Sequence, residues 1–180
     1  DLFRKNGLLL FGPSRAAAEL EGSKVFSKGR MKKCGVPTAD ATVFESSQAA
    51  RNHLELRRPP FVLKADGLAA GKGVIIARSR EEGERACHAI MEERVFGDAG
   101  NRILIEDFLT GEELSILAFT DGENVLPLAS SQDHKRAFDG DEGPNTGGMG
   151  AYSPCPLVSD RGLHEIAERT IAPVIRGLRS

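Results

Sequence analysis

Apolar residues along the chain fall into short runs with strand-like spacing, separated by charged stretches with helical spacing. "GLLLFGPS" (7–14) predicts a short apolar strand ending in a Gly12-Pro13-Ser14 turn, with Ser14 placed to cap a helix over "RAAAELE". "SKVFSKGRMKKC" (23–34) is mostly helical, with Val25, Phe26 and Met31 as apolar contacts, and Gly35 and Pro37 stop it. "ATVF" (41–44) is a strand, and Ser46 opens a helix that Pro59 and Pro60 close. Strand "FVLK", a glycine loop and strand "VIIA" follow. Ser79 and Glu82 form a capping box for a helix running to about Arg94. "ILIEDF" (103–108) and "ELSILAFT" (113–120) read as strands joined through Thr110-Gly111, and Asp121-Gly122 turns the chain into "NVLPLASS". Residues 132–152 show no periodicity, and Asp160 caps a last helix interrupted near Pro173.

Strands adjacent in the middle, with helices between other strands, predict an α+β fold. The prolines and arginines of "RRPPF" mark a boundary near residues 58–61.

Composition narrows the classes. At 180 residues, 40% hydrophobic and 28% charged, the chain can bury a real core and has ordinary globular composition. A net charge of -2 gives no electrostatic case for binding nucleic acid. No apolar run approaches the ~20 residues of a membrane span, and the N-terminus has no signal-peptide pattern. It also lacks an initiator methionine, so the chain is expected to be a piece of a longer protein. Cys34, Cys87 and Cys155 are odd in number and widely spaced, which favours a reducing, cytoplasmic setting over a disulfide framework or a zinc site.

The glycine loop within "FVLKADGLAAGKGVIIAR" (61–78) is not a Walker A motif. Gly67 and Gly71 are too close together, Gly73 stands where a magnesium-binding hydroxyl is needed, and a β-branched run follows instead of a helix. A glycine loop between two strands can lay backbone N–H groups over a polyphosphate as a flap, with lysines supplying charge. A tight hairpin with solvated lysines is the equal alternative on these residues alone. "IEDFLTGEELSI" (105–116) places Glu106 and Glu113 on neighbouring strands around Phe108 and Leu109. Such a segment could hold a base through apolar contact and a ribose diol through a carboxylate, or simply form an acidic hairpin. "SSQDHKRAFDGDEGPNTGGMGAYSP" (130–154) is a long aperiodic stretch, a functional loop or a mobile one. His134, Lys135 and Arg136 could receive a phosphate there, and Gly143, Gly147, Gly148 and Gly150 allow the backbone to wrap a small ligand.

Together "FGPSRAAAELEGSK", "GVPTA", "VLKADGLAAGKGV", "FGDAG", "IEDFLTGEE", "SQDHKR" and "GPNTGGMGAYSP" resemble one family, the glycinamide ribonucleotide synthetases, which are ATP-grasp ligases of purine biosynthesis. The glycine loop and "EDFL" are shared with ATP-grasp enzymes in general, whereas "SQDHKR" with "GPNTGGMGAYSP" separates this family from the others. The resemblance implies an ATP-grasp fragment made of a small antiparallel lid subdomain and part of the second grasp lobe. Residues 1–58 would enter the ATP-grasp domain, 59–110 would form the lid with its flap, and 111–180 an incomplete second lobe bearing a substrate loop. The implied reaction joins glycine to 5-phosphoribosylamine, with ATP converted to ADP and phosphate through a glycyl phosphate.

By matching position, Lys24 and Lys64 resemble the phosphate-contacting lysines, and Gly71, Lys72 and Gly73 the flap. Glu106, Phe108 and Leu109 resemble the adenine-binding strand, and Glu113 the ribose ligand. Asp133, His134, Lys135 and Arg136 fall on the substrate side, with Lys64, His134, Lys135 and Arg136 as the catalytic set. Asn145, Thr146, Gly147, Gly148 and Met149 correspond to a loop holding glycine and the transferred phosphate. Cys155 stands where the family often has alanine, a packing change. The family's later acidic segment, which carries the Glu and Asn that hold Mg²⁺, is absent, so the metal ligands are expected beyond Ser180 and the fragment alone is expected to be inactive. Small molecules are the implied partners, with neither nucleic acid nor membrane, and with room for fusion to or association with other purine-pathway domains. A non-catalytic ATP-binding module, or another ATP-grasp ligase of the purine pathway, remains the alternative.

Overall fold

Four short strands form one antiparallel sheet, and its two faces have different fates. The computed structural model describes residues 2–69, 72–140 and 142–179, leaving out the side chains of Arg4, Pro144 and Asn145. The strands are β1 (Ala41–Phe44), β2 (Phe61–Ala65), β3 (Val74–Ala77) and β4 (Ile103–Asp107), in the order β1-β4-β2-β3. The sheet crosses the connector at "RRPPF": β1 lies before it in sequence, yet pairs with β4 from Ala41↔Glu106 to Phe44↔Ile103.

Period-two alternation sorts the side chains of β2. Phe61, Leu63 and Ala65 are buried on one face, joined there by Ala77, Ile103 and Ile105. This face packs on α4 (Ser47–Glu55) and α5 (Arg80–Met91), through Ala50, Leu54, Ala86 and Ile90. Gly83 allows that approach, because a Cβ there would lie 2.9 Å from Leu54 Cδ1. Cys87 is fully buried in this layer, and burial pushes its thiol up to about 11, so it packs as a small apolar side chain. All three cysteines are free.

Helix starts follow the capping chemistry of the sequence. Ser14 accepts from Ala17 N to open α2 (Arg15–Gly22), and Ser23 accepts from Phe26 N to open α3 (Lys24–Lys33). Ser46 and Ser79 do the same for α4 and α5. Glu82 accepts from Arg78 N, one residue before the cap rather than at it. The first helix, α1, covers only Leu2–Lys5.

Four expectations are corrected. Residues 8–11 form no strand, and Leu8 to Phe11 are exposed, since extended backbone becomes a strand only when a neighbour pairs with it. "ELSILAFT" is a strand only at its end: β5 (Ala118–Thr120) pairs with β6 (Val125–Pro127) around the Asp121-Gly122 turn, while Ser115 makes one bridge to Ser131. The aperiodic stretch is a hairpin of β7 (Gln132–Phe138) and β8 (Glu142–Tyr152), with register shifts on either side of Arg136. The last helix, α6 (Asp160–Leu178), is capped by Ser159 and continues through Pro173. Among the described residues no helix is long and apolar enough to cross a membrane.

Candidate functional site

The face of the sheet opposite α4 and α5 opens into a cleft of about 700 Å³. Val62 and Lys64 of β2 line it with Val74 and Ile76 of β3, because these are the positions out of phase with the core. Phe108 to Glu113 form a second wall after β4, and Gln132 to Arg136 of β7 a third. The sheet side thus mixes apolar side chains with the charged Lys64 and Glu106, and the far side is polar, a common composition for a small-molecule site.

Glu106 is the electrostatic centre. The register Val62↔Glu106 and Lys64↔Leu104 makes Lys64 and Glu106 diagonal neighbours on one face. Their charged ends are 2.7 Å apart, with Glu106 buried and Lys64 half-buried. The other carboxylate oxygen of Glu106 lies 3.1 Å from Lys28 Nζ. Lys28, also buried, donates to Thr38 Oγ1 at 2.6 Å and to the Ala39 carbonyl at 3.0 Å. Sequence reasoning passed over Lys28, which sits among Lys32 and Lys33 in a strongly polar helix. Its spacing of four from Lys24 was the available signal, since that places both on one helix face.

Lys24 lies at the root of the glycine loop, donating to the Gly67 carbonyl at 2.8 Å. Asp66, missed as well, secures that root. Its Oδ1 accepts from Ser23 Oγ and Val25 N, a carboxylate at the N-terminus of α3, and its Oδ2 pairs with Arg102 at 2.5 Å. Gly67 has φ +146 and packs on Ala99, with a built Cβ 3.0 Å from that side chain. Gly73 is buried and accepts from Ala65 N at 2.9 Å, and Lys72 is exposed beside it. Gly71 lies outside the described residues.

The remaining candidates divide. Asp133, His134, Lys135 and Arg136 border the cleft, but not as one cationic cluster: Lys135 pairs with Asp133 at 3.4 Å and Arg136 donates to the Gly143 carbonyl at 2.7 Å. His134 stacks on Tyr152 with ring centroids 5.9 Å apart. Glu113 lines the cleft and is exposed, but it does not share a sheet with Glu106; residues 108–117 leave β4 as irregular backbone that reaches the third wall, where Gln132 Nε2 donates to the Glu113 carbonyl. Thr146, Gly147, Gly148 and Met149 lie on β8, as does the backbone of Asn145, and among the described side chains these four do not line the cleft.

This architecture has known counterparts. Residues 22–180 match the family model of the phosphoribosylglycinamide synthetase ATP-grasp (A) domain. The phosphoribosylamine–glycine ligases of Yersinia pestis and Escherichia coli K12 are each 52% identical over 178 residues, covering 99% of this chain and 42% of their own length. The crystal structure of the phosphoribosylamine–glycine ligase of Thermotoga maritima superposes with a TM-score of 0.82 at 40% identity, covering 93% of this chain and 42% of that one. The biotin carboxylase of Campylobacter jejuni, solved as a β-γ-ATP complex, has a TM-score of 0.79 at 17% identity over 99% of this chain and 39% of its own, and shares the fold. The chain thus spans about 42% of the length of the curated relatives it matches. It belongs to the phosphoribosylglycinamide synthetase ATP-grasp (A) domain family.

Proposed function

We propose that the full-length protein containing this chain joins glycine to 5-phosphoribosylamine at the expense of ATP, in a reducing, cytoplasmic setting. The observation that carries the reading is the cleft itself, where Lys64 and Glu106 project from the sheet opposite the 132–136 segment. The residues present fit ATP. Val62, Val74, Ile76 and Phe108 offer apolar surface to a base, Glu106 an acceptor for its amino group, and Glu113 an exposed carboxylate to a ribose diol. Lys64, Lys24 and the backbone around Lys72 and Gly73 supply cationic and N–H contacts to phosphates. Among the described residues no three His, Cys, Asp or Glu side chains converge as a ready-made cation site, and magnesium on ATP needs only one or two carboxylates beside the phosphates. The family resemblance implies a Glu and an Asn of a later acidic segment as its ligands, and the chemistry that follows belongs to this chain's own residues.

The glycine carboxylate attacks the terminal phosphorus of ATP and ADP leaves, giving glycyl phosphate. The amine of phosphoribosylamine then attacks the acyl carbon and expels phosphate, which leaves with the proton lost from the amine, and the amide forms. Phosphoryl transfer needs positioning and charge neutralisation more than a protein nucleophile, so lysines and backbone amides are the right equipment. The acyl phosphate is water-labile, which gives the glycine loop a reason to close. Asp133, His134, Lys135 and Arg136 bind the phosphoribosylamine, and the 145–149 segment is assigned to glycine and the transferred phosphate, closing on the cleft with the loop.

The test is phosphate release by the full-length protein supplied with ATP. Release that requires glycine and phosphoribosylamine together supports the reading. Release driven by bicarbonate or by another amino acid replaces it with a different ATP-grasp ligation. On the same protein, His134→Ala raises the KM for phosphoribosylamine about tenfold and leaves that for ATP within about twofold, as loss of a hydrogen bond to a charged group would. The opposite order would move His134 to the nucleotide.

A further inference from the structure

The Lys64–Glu106–Lys28 arrangement holds more positive charge than a single ion pair requires. A buried carboxylate needs a counter-charge, and Lys64 alone, 2.7 Å away, would supply one. Yet a second lysine is buried behind it, reaching Glu106 Oε1 from α3 with only 10% of its side chain exposed. Burying an ammonium is unfavourable unless its donors are all used. Lys28 meets that condition, since Thr38 Oγ1, the Ala39 carbonyl and Glu106 take three donors. Lys28 does not line the cleft, whereas Lys64 and Glu106 do.

From this geometry we infer that Lys28 is a positioning residue whose charge lets Lys64 leave Glu106 for an anionic ligand. With Lys28 in place, Lys64 can swing to a phosphate and Glu106 remains paired. Without it, Lys64 is the last counter-charge of a buried carboxylate, and moving it to a phosphate strands that charge. Lys28 therefore governs affinity for the phosphate-bearing part of a nucleotide, although it lies behind the carboxylate and out of the cleft. The inference rests on the nucleotide reading of the cleft.

The experiment compares ADP and adenosine, each titrated calorimetrically into the full-length protein and into Lys28→Met and Lys28→Gln. Adenosine makes no demand on Lys64, so it separates charge balance from damage to the cleft wall. ADP affinity is expected to fall about tenfold or more in both variants, and adenosine affinity to stay within about twofold. Lys28→Gln keeps a donor to Glu106 and the Ala39 carbonyl, and carries the test if the methionine variant does not fold. Equal losses for both ligands would make Lys28 a plain wall residue, and unchanged ADP affinity would show that Lys64 never leaves Glu106. Either outcome overturns the inference. Unaltered protein that binds neither ligand overturns the nucleotide reading instead.

Discussion

Lys64→Ala in the full-length protein lowers kcat/KM for ATP by about 100-fold, the scale of removing one preorganised donor from developing phosphate charge. The same change leaves the fold standing. Lys64 is 29% exposed at the mouth of the cleft, and Glu106 keeps Lys28 at 3.1 Å, so no buried carboxylate is orphaned. The melting temperature is therefore expected to move by less than about 4 °C. Kinetics equal to the unaltered enzyme would show that Lys64 serves Glu106 alone and never meets a phosphate. Steady-state rates at varied ATP, with a thermal melt of the same preparation, decide the matter.

Phe61→Ala has the opposite profile. Phe61 begins β2, is 2% exposed, and fills the space between the sheet and the α4–α5 layer. Gly83 lies against it, with a built Cβ only 3.5 Å from Phe61 Cδ2, so the surrounding backbone has little freedom to collapse into the void. Truncation of a buried phenylalanine to alanine costs about 3–5 kcal/mol, a large share of ordinary domain stability. The loss is read from the denaturant midpoint at unchanged slope. The KM for ATP of the folded fraction stays put, because the cavity opens on the face of β2 opposite the cleft. A loss under about 1 kcal/mol would mean that the layer repacks freely.

What could be read from the chain was what local chemistry controls. Ser14, Ser23, Ser46 and Ser79 each announce a helix because capping involves neighbours two or three residues away. "FVLK", "VIIA" and "ILIEDF" announce strands through apolar β-branched runs, and the antiparallel pairing of the first two follows from the glycine loop between them. The β7–β8 hairpin stayed hidden because Gly143, Gly147, Gly148 and Gly150 erase the alternation that marks a strand, while its ladder joins residues as far apart as Gln132 and Tyr152. "GLLLFG" misled for the converse reason, since apolar sequence does not make a strand where no ladder partner lies beside it. In the cleft, Lys64, Glu106 and the 132–136 segment could be found from motif and position. Lys28 offered only its spacing of four from Lys24, and Asp66 no signal of its own, because their roles depend on α3 lying across residues 66–67 and 106, over forty residues downstream.

The glycine loop leaves the sheet at Ala65 and returns at Val74, with both ends already tied down. Ala65 bonds to Gly73, Asp66 is held by Arg102 and the start of α3, and β3 pairs with β2 along its whole length. Cleavage of the peptide chain between Leu68 and Lys72 would leave every one of those contacts in place. A nicked protein would thus keep the contacts of its sheet, so limited proteolysis at this loop offers a test of the proposed closure that leaves the core untouched.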